Sequence, residues 1–372
     1  MEPHLRALLD RKHARQGKGS YKPRRADDVA ERLGRLLEAN GVDGQARNVR
    51  RMGGGASKEQ FIFDLERADG TGEPLVLRMD PLEGIVETCR AREAQLLDVI
   101  GAVVPAPPVV LVDGDGSIMG QPAMVARFVR GVTKPRDATS GPSGVGIVIG
   151  ERSAAILMPQ YIDNLVRVNA FDFASADLPL YAVPEAGTNQ AALWQLNYWT
   201  RIVAEDRVDA APLLDYAEAW LRERAPVCAE PVMLHGDYRL GNFMFDDETL
   251  EMTAVLDWEL AHIGDFHEDL AYSLEPLFCS RDAQGRALIA SMMPVDEFLA
   301  AYATRSGRTI DPDTLHWYRV LSSYKLAGMN FASGTRAARD GTNHQSALLG
   351  FLAACQVGLS ATLCKLLAGE PT

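Results

Sequence analysis

The residues with the clearest capacity for chemistry lie in the stretch LHGDYRLGNF, which runs from residue 234 to residue 243. Within it, Asp237 and Asn242 are five positions apart, on a predicted loop that follows a helix and enters a strand. Asp257 comes fifteen residues after Asn242, at the end of the second strand of a predicted hairpin over 242–257. Because a hairpin folds its second strand back beside the first, we expect Asn242 and Asp257 to lie close together.

An Asp, an Asn and a second Asp are the side chains that phosphoryl transfer to a hydroxyl group requires. One carboxylate orients and deprotonates the acceptor, while an amide oxygen and a second carboxylate bind Mg²⁺ through oxygen atoms. The same residue types also dominate ordinary turns, so the spacing of Asp237 and Asn242 alone is weak. The neighbouring His235-Gly236 and Asp257-Trp258-Glu259 favour the functional interpretation.

The elements that must position these residues form two groups. The first has a helix at 27–40, a helix at 86–100 and strands at 47–52, 60–66, 74–79, 108–112 and 122–129. After Gly131 the patterns are mostly helical, at 151–170, 189–205, 211–224, 295–306, 314–331 and 344–368. The sequence therefore predicts an α+β fold, with a small antiparallel β-sheet N-lobe at 27–130, a mostly helical C-lobe at 131–372 and a ligand cleft between them.

The overall charge is acidic but uneven. The chain has 372 residues and a formal net charge of −12, which disfavours a nucleic-acid-binding surface. Residues 1–26 form a basic N-terminal arm, predicted to be a solvated, partly mobile terminus, with eight cations at Arg6, Arg11, Lys12, Arg15, Lys18, Lys22, Arg24 and Arg25.

The cysteines and the apolar segments predict a cytoplasmic protein. The five cysteines form no C-x-x-C pair, which favours reduced thiols over a disulfide framework. The N-terminus has no apolar signal region, and the apolar stretch at 347–369 is interrupted by polar residues. We therefore expect that stretch to be a buried helix and not a membrane span.

The motif His235-Gly-Asp237-x-x-x-Gly-Asn242, followed by Asp257-Trp-Glu, resembles the aminoglycoside phosphotransferase family, whose fold is similar to that of protein kinases. The resemblance extends over roughly residues 45–365. It implies that Asp237 is the catalytic base, that Asn242 and Asp257 bind the metal, and that His235 structures the loop. The segment 264–270 resembles the family's Gly-Asp…Asp-Leu segment, which would brace the site.

The predicted N-lobe offers a phosphate-binding turn. Gly54, Gly55 and Ser57 lie between two strands, where glycines let backbone N–H groups approach phosphates. The turn is not a Walker A loop, because Lys58 is followed by Glu59 and the G-x-x-x-x-G-K spacing is absent. A plain hairpin turn would look the same, so the nucleotide role rests on the resemblance.

A kinase-like fold also needs a cation on the third strand, paired with a helix glutamate. Arg78 stands where the wider kinase pattern has Lys, and its guanidinium can grip phosphates. Glu93 lies on the apolar stripe that Cys89 and Leu97 share, where an unpaired carboxylate would be costly. We expect Arg78 to be its partner, although Glu93 could instead extend from the edge of the stripe to water.

The segment 126–131 resembles the family's adenine-binding hinge. The resemblance implies that backbone groups of Arg127 and Val129 read the base edge, with Arg127 replacing the more common Glu.

Taken together, these patterns predict an enzyme that uses ATP and Mg²⁺ to phosphorylate a hydroxyl group of a small molecule, as a monomer or a homodimer. Outside the first 25 residues the chain carries 30 basic and 48 acidic residues, a net charge of −18. This excess, including Glu259, Asp265, Glu268, Asp269 and Glu275, favours a cationic acceptor such as an aminoglycoside. The alternative is a hydroxyacyl(-CoA) metabolite, because chains with Arg on the third strand resemble kinase-like domains tied to acyl-CoA dehydrogenases.

Two rival hypotheses remain open at this point. His262, Asp265, His267 and Asp269 could form the transition-metal site of a metal-dependent hydrolase. Alternatively, the chain could be a catalytically degenerate kinase-like protein that binds nucleotide without turnover, with Arg78 as the lesion.

Overall fold

The computed structural model describes residues 1–15, 21–53, 58–81, 84, 86–139, 147–341 and 354–370. In these ranges the helices are α1 (Pro3–Arg15), α2 (Ala26–Ala39), α3 (Arg90–Ile100), α4 (Glu151–Asn169), α5 (Gln190–Asp206), α6 (Pro212–Glu223), α7 (His267–Ser273), α8 (Val295–Ser306), α9 (Pro312–Met329), α10 (Thr335–Asp340) and α11 (Gln356–Leu367). The strands are β1 (Gln45–Arg51), β2 (Glu59–Glu66), β3 (Gly72–Met79), β4 (Val109–Asp113), β5 (Ala123–Arg127), β6 (Val232–Leu234), β7 (Phe243–Phe245), β8 (Met252–Val255), β9 (His262–Gly264), β10 (Ser280–Arg281), β11 (Ala287–Ile289) and β12 (Met293–Pro294).

The N-lobe is built on a five-stranded antiparallel sheet with the order β1-β2-β3-β5-β4. Along β2, Phe61, Phe63 and Leu65 alternate with more exposed residues, as a strand with one buried face requires. The buried side of α2, including Leu33 and Leu36, packs on this face and completes the apolar cluster. These strands and α2 were predicted from the same periodicities.

Helix α3 lies between β3 and β4 in the chain but packs differently from α2. Its residues Leu96, Leu97 and Ile100 belong to the large apolar cluster of the C-lobe rather than to the cluster under the sheet. The predicted helix over 86–100 begins only at Arg90, because Cys89 directly before it has an extended backbone. Helix α3 is therefore tied to the C-lobe, where the loop that carries Asp237 lies.

The C-lobe packs its helices around a core that includes Trp199, Trp258 and Trp317. The predicted hairpin over 242–257 is present as the pair β7–β8. The pairing of β6 with β9 and the small sheet β10-β11-β12 were not predicted. Strands of two or three residues are too short to show an alternating pattern.

The N-terminal segment corrects one prediction. Residues 1–26 were expected to be a solvated arm, but Pro3–Arg15 form α1 and two charged side chains of the segment are buried. Glu2 pairs with Arg92, and the Lys12 ammonium lies 2.5 Å from an Asp206 carboxylate oxygen. The two partners, Arg92 and Asp206, are far from Glu2 and Lys12 in the sequence, so the charges of the N-terminal segment alone could not reveal these pairs.

The helix predicted at 344–368, near the C-terminus, is confirmed in part. Helix α11 occupies the second half of the predicted helix 344–368, and residues 342–353 lie outside the described ranges. No helix among the described residues has both the length and the apolar character to cross a bilayer.

The connection between the lobes generates a stability prediction. Gly131 has φ +144°, and a Cβ there would lie 2.6 Å from the carbonyl oxygen of Phe245. Val132, the next residue, exchanges two backbone hydrogen bonds with Phe245 and so fixes this approach. We expect Gly131→Ala to lower the free energy of unfolding by about 2 kcal/mol or more, measured by chemical denaturation.

Gly187→Ala is the matched control, because Gly187 also has a positive φ but no atom within 4 Å of the added Cβ. It should cost only about 1 kcal/mol of backbone strain. Equal losses for the two variants would contradict the close approach at Gly131.

Candidate active site

The catalytic-loop candidate follows β6 and begins with His235 and Gly236. Gly236 has φ +78°, and a Cβ there would lie 2.4 Å from the Leu260 carbonyl oxygen, so only glycine fits. The Asp269 carboxylate on α7 accepts hydrogen bonds from the backbone N–H groups of His235 and Gly236, at 2.9 and 2.8 Å. Asp269 thus braces the loop that carries Asp237.

The His235 ring connects this loop to the strand end that precedes Asp257. One ring nitrogen, Nδ1, accepts the backbone N–H of Asp237 at 3.2 Å, and Nε2 lies 2.9 Å from the Leu256 carbonyl oxygen. Because an N–H can only donate and a carbonyl can only accept, the proton of the neutral ring must be on Nε2. The ring also packs on Trp258, at 4.6 Å between centroids. This is the loop-structuring role that the resemblance implied.

Asp237 is held by hydrogen bonds from two directions. Its Oδ1 accepts from Arg239 Nε at 3.1 Å, and its Oδ2 accepts from the Asn242 amide nitrogen at 2.7 Å. Burial acts to raise the pKa of Asp237, but the charges of Arg239 and Lys325 and hydrogen bonds from Tyr272 and Asn242 hold it below its ordinary value. The carboxylate is therefore ionised at neutral pH and able to accept a proton.

The hairpin places Asn242 and Asp257 beside each other, as predicted. Phe243 pairs with Val255 in the β7–β8 ladder, and the Leu256 N–H donates to the Asn242 carbonyl oxygen at 2.7 Å. Asp257 itself adopts a left-handed conformation with φ 67°, which turns the chain at the strand end. The Asn242 and Asp257 side chains thus offer the oxygen atoms that a hard cation prefers.

Arg78 bridges the two lobes at this point. Its Nη1 donates to Glu93 at 2.7 Å and its Nη2 donates to Asp257 at 2.5 Å. The predicted contact between Arg78 and Glu93 is therefore confirmed. Burial acts to lower the pKa of Arg78, but Glu93, Asp257 and Glu259 raise it above the ordinary value. Burial acts to raise the pKa of Asp257, and Arg78 is the main group that lowers it below the ordinary value.

Sequence reasoning missed the charged side chains that surround this bridge. Arg90 is fully buried and contacts Glu259 at 2.9 Å, Asp80 at 3.2 Å and Glu93. Lys58, also buried, lies 3.4 Å from Asp80 and 3.6 Å from Glu259. We call the whole set the buried ion cluster, with the members Lys58, Arg78, Arg90, Asp80, Glu93, Asp257 and Glu259. The only local signal for it was the spacing of Arg90 and Glu93, three apart on one helix.

The predicted hinge residues lie at the end of β5 and just beyond it. The Arg127 backbone N–H donates to the Pro108 carbonyl oxygen at 2.9 Å, and its guanidinium contacts Glu73 at 2.8 Å. This leaves the Arg127 carbonyl oxygen, not its N–H, as the candidate for base recognition. Val129 follows the strand and is partly exposed. Gly54, Gly55 and Ser57, the predicted phosphate-binding residues, lie outside the described residues.

The rival transition-metal hypothesis is wrong for this arrangement. His262 Nε2 pairs with Glu268 at 3.2 Å, and His267 Nδ1 pairs with Asp265 at 2.6 Å. Asp269 is used by the backbone of the catalytic loop. Across the described ranges, no group of three or more His, Cys, Asp and Glu side chains converges as a metal site.

Comparison with known proteins decides the family. Residues 48–319 match the model of the phosphotransferase enzyme family. The chain belongs to this family. Among curated relatives, acyl-CoA dehydrogenase family member 10 from Mus musculus is 26% identical over 74% of this chain, and member 11 from Gallus gallus is 27% identical over 77%. The chain spans only 26% and 36% of the length of these two relatives.

Solved structures of this phosphotransferase's neighbours show the same fold. A protein from Ralstonia eutropha named as an aminoglycoside phosphotransferase matches with a TM-score of 0.67 at 20% identity, covering 92% of this chain and 99% of that one. A mutant of the aminoglycoside phosphotransferase APH(4)-Ia, solved with ADP and hygromycin B, matches with a TM-score of 0.57 at 14% identity, covering 91% and 99%. The macrolide 2′-phosphotransferase type I matches with a TM-score of 0.56 at 16% identity, covering 88% of this chain and 96% of that one. The predicted α+β kinase-like fold is confirmed.

The bridge between the lobes can be tested in solution. We expect Arg78→Ala and Glu93→Ala to be non-additive, with a coupling of about 0.5–3 kcal/mol in the free energy of unfolding, because the two side chains share one buried contact. Urea denaturation of the wild type, the two single variants and the double variant measures this coupling as a double-mutant cycle.

The exposed pair Glu218 and Arg222, also in contact at 2.8 Å, is the control cycle. Its coupling should be only about 0.3–0.5 kcal/mol, because water screens both charges. Additive losses for Arg78 and Glu93 would mean that the bridge does not form in solution.

Proposed function

We propose that this phosphotransferase transfers the γ-phosphoryl group of ATP to a hydroxyl group of a small molecule, with Mg²⁺ as cofactor. The observation that carries the proposal is the convergence of three groups. An ionised carboxylate at Asp237, the oxygen ligands of Asn242 and Asp257, and the cation of Arg78 meet between the lobes. The ADP in the structure of APH(4)-Ia supports a nucleotide as the donor.

In this proposal, Asp237 positions the acceptor hydroxyl and accepts its proton as the hydroxyl oxygen bonds to the γ-phosphorus. The bond from that phosphorus to the β–γ bridging oxygen breaks, and ADP leaves. The two hydrogen bonds from Arg239 and Asn242 orient its carboxylate, and its lowered pKa keeps it ionised. Since these bonds already fix the carboxylate, little reorganisation is needed during the reaction.

The metal site fits a hard divalent cation. Asn242 and Asp257 would hold Mg²⁺ with an amide oxygen and a carboxylate oxygen. The cation supplies charge neutralisation for the phosphate groups when bound. Arg78 presents a second positive charge beside Asp257. The degenerate-kinase hypothesis treated Arg78 as a lesion, but Arg78 makes the contact with Glu93 that the third-strand cation is expected to make.

The acidic residues that suggested a cationic acceptor do not support one. The Glu259 side chain is only 8% exposed and the other four residues are buried. Each carboxylate already has a neighbouring partner: Glu259 has Arg90, Asp265 has His267, Glu268 has His262, Asp269 has the backbone of 235–236 and Glu275 has Ser323. A field that attracts cations into the cleft therefore cannot be inferred from them.

We infer that a hydroxyacyl metabolite, as the free acid or the CoA thioester, is the acceptor. Two observations support this choice. The curated relatives that match this chain are named as acyl-CoA dehydrogenases. In addition, Arg281 and Arg319 line a cavity of about 50 Å³ beside Leu274. In this proposal the anionic group of the acceptor lies in that cavity, where the two cations would favour it over a polyamine.

The role of Asp237 generates a kinetic prediction. Asp237→Asn keeps the shape but removes the proton acceptor, so kcat should fall at least about 100-fold. The KM for ATP should stay within about twofold, because Asp237 faces the acceptor rather than the nucleotide. Coupled detection of ADP release measures both parameters.

Asp257→Asn is the matched comparison, since it makes the same chemical change at the proposed metal ligand. It should weaken Mg²⁺-dependent ATP binding by about tenfold or more in calorimetry. If Asp237→Asn lost ATP binding while Asp257→Asn kept it, the two assignments would be reversed.

The acceptor is tested by ADP release with hydroxy acids, hydroxyacyl-CoA thioesters, aminoglycosides, choline and a macrolide. We expect turnover with the hydroxyacyl compounds, and we expect their kcat/KM to fall as salt increases, because added ions screen exposed charges beyond about 8 Å at 0.15 M. Turnover with an aminoglycoside and none with any hydroxyacyl compound would overturn this choice of acceptor.

A further inference from the structure

Arg92 is a buried cation next to Glu93 on α3, and its contacts lead away from the active site. Its guanidinium donates to both carboxylate oxygens of Glu2, at 2.5 and 3.0 Å. It also donates to the carbonyl oxygens of Leu180 and Ala261, each at 3.1 Å. The side chain is only 5% exposed, so these acceptors stand in for water.

Glu2 is equally enclosed, with 3% of its surface exposed. Its Oε1 also accepts the Ala182 N–H at 3.1 Å, and the neighbouring Tyr181 hydroxyl donates to the Arg92 carbonyl oxygen at 3.1 Å. The Tyr181 ring lies under the Arg92 guanidinium, 4.1 Å from its centroid. Glu2 therefore supplies the formal negative charge in a pocket that otherwise offers carbonyl oxygens and an aromatic ring to Arg92.

The two arginines of the first turns of α3 both reach the chain that follows Asp257. Arg90 binds the Glu259 carboxylate, and Arg92 binds the Ala261 carbonyl oxygen. Glu93, the residue that follows Arg92, orients Arg78. The position of α3 relative to the metal ligand thus depends on how firmly these two arginines are held.

We propose that Glu2 is a positioning residue for the phosphotransfer reaction, acting through Arg92 to fix α3 so that Glu93 keeps Arg78 directed at the phosphate site. This inference rests on the proposed function. Without the Glu2 charge, the Arg92 guanidinium would be buried without a counter-ion, which is costly in a protein interior. Movement of α3 toward water would relieve that cost and would carry Glu93 with it.

The chain offers a control in the same N-terminal segment, because Glu2 directly precedes α1 and Lys12 lies on it. Lys12 of α1 forms a second buried ion pair, with Asp206 at the end of α5, and both side chains are at most 3% exposed. Breaking this pair removes an ion-pair partner of the N-terminal segment, as breaking the Glu2 pair does, but at α5 instead of α3. Asp206 keeps Arg336, at 3.2 Å, and the Ser333 hydroxyl as partners. A purely structural role of the N-terminal segment would make both changes lower stability, and neither would act selectively on the KM for ATP.

The experiment compares full-length wild-type protein, Glu2→Gln, Glu2→Asp and Lys12→Met. We expect Glu2→Gln to raise the KM for ATP about three- to tenfold while kcat changes less than about twofold. Hydrogen exchange of the amides in 90–100 should become faster. Glu2→Asp, which keeps the charge, should restore most of the ATP affinity. Lys12→Met should lower the melting temperature without changing the KM for ATP or the exchange of α3.

Two results would overturn the positioning role. One is an unchanged KM for ATP and unchanged exchange of α3 in Glu2→Gln, and the other is an equal rise in KM for Glu2→Gln and Lys12→Met. Wild-type protein that binds no nucleotide would instead contradict the proposed function. In that case, the difference in α3 exchange between the two variants still decides whether Glu2 fixes the helix.

Discussion

The contact of one arginine with carboxylates from two directions is the constraint on which the site depends. Arg78 on β3 binds Glu93 on α3 and Asp257 after β8, so it joins the sheet, the helix and the loop that carries the proposed metal ligand Asp257. Charges removed from water must be paired, because an unpaired buried charge is costly. The positions of the three elements are therefore not independent.

The buried ion cluster has a charge that suits its proposed use. Its cations are Lys58, Arg78 and Arg90, and its carboxylates are Asp80, Glu93, Asp257 and Glu259, which leaves one negative charge in excess. A bound divalent cation would meet this excess at Asp257, the most exposed carboxylate of the set, with 28% of its side chain accessible. Asp80, Glu93 and Glu259 are nearly enclosed and serve to hold the cations.

The catalytic loop is organised by a different part of the chain. Asp269 on α7 holds the loop backbone from one side, while the Lys325 ammonium on α9 donates to the Gly236 carbonyl oxygen at 2.5 Å. Lys325 also lies over the rings of Trp199 and Tyr272, which compensate for its loss of water. The loop thus receives support from the helical core, and Asp237 can be rigid without being deeply enclosed.

How much could be predicted from the sequence depended on the range of the interaction. The strands of the N-lobe and the hairpin that brings Asn242 to Asp257 follow from local periodicity, and the contact of Arg78 with Glu93 follows from the cost of a carboxylate on an apolar face. Lys58 could not be assigned, because its partners are Asp80 and Glu259. Counting acidic residues likewise could not predict the electrostatic field in the cleft, since a count does not reveal which carboxylates are already paired.

The identity of residue 78 follows from the same geometry. A lysine ammonium is a compact charge, whereas a guanidinium has two terminal nitrogens fixed in one plane. Here Nη1 donates to Glu93 and Nη2 donates to Asp257, and the two acceptors lie on different elements, α3 and the segment after β8. Arginine can hold both carboxylates at once in a defined orientation, while one lysine nitrogen would have to be shared between them. The departure from the wider kinase pattern is therefore consistent with a site in which a single side chain holds together α3 and the loop that carries Asp257.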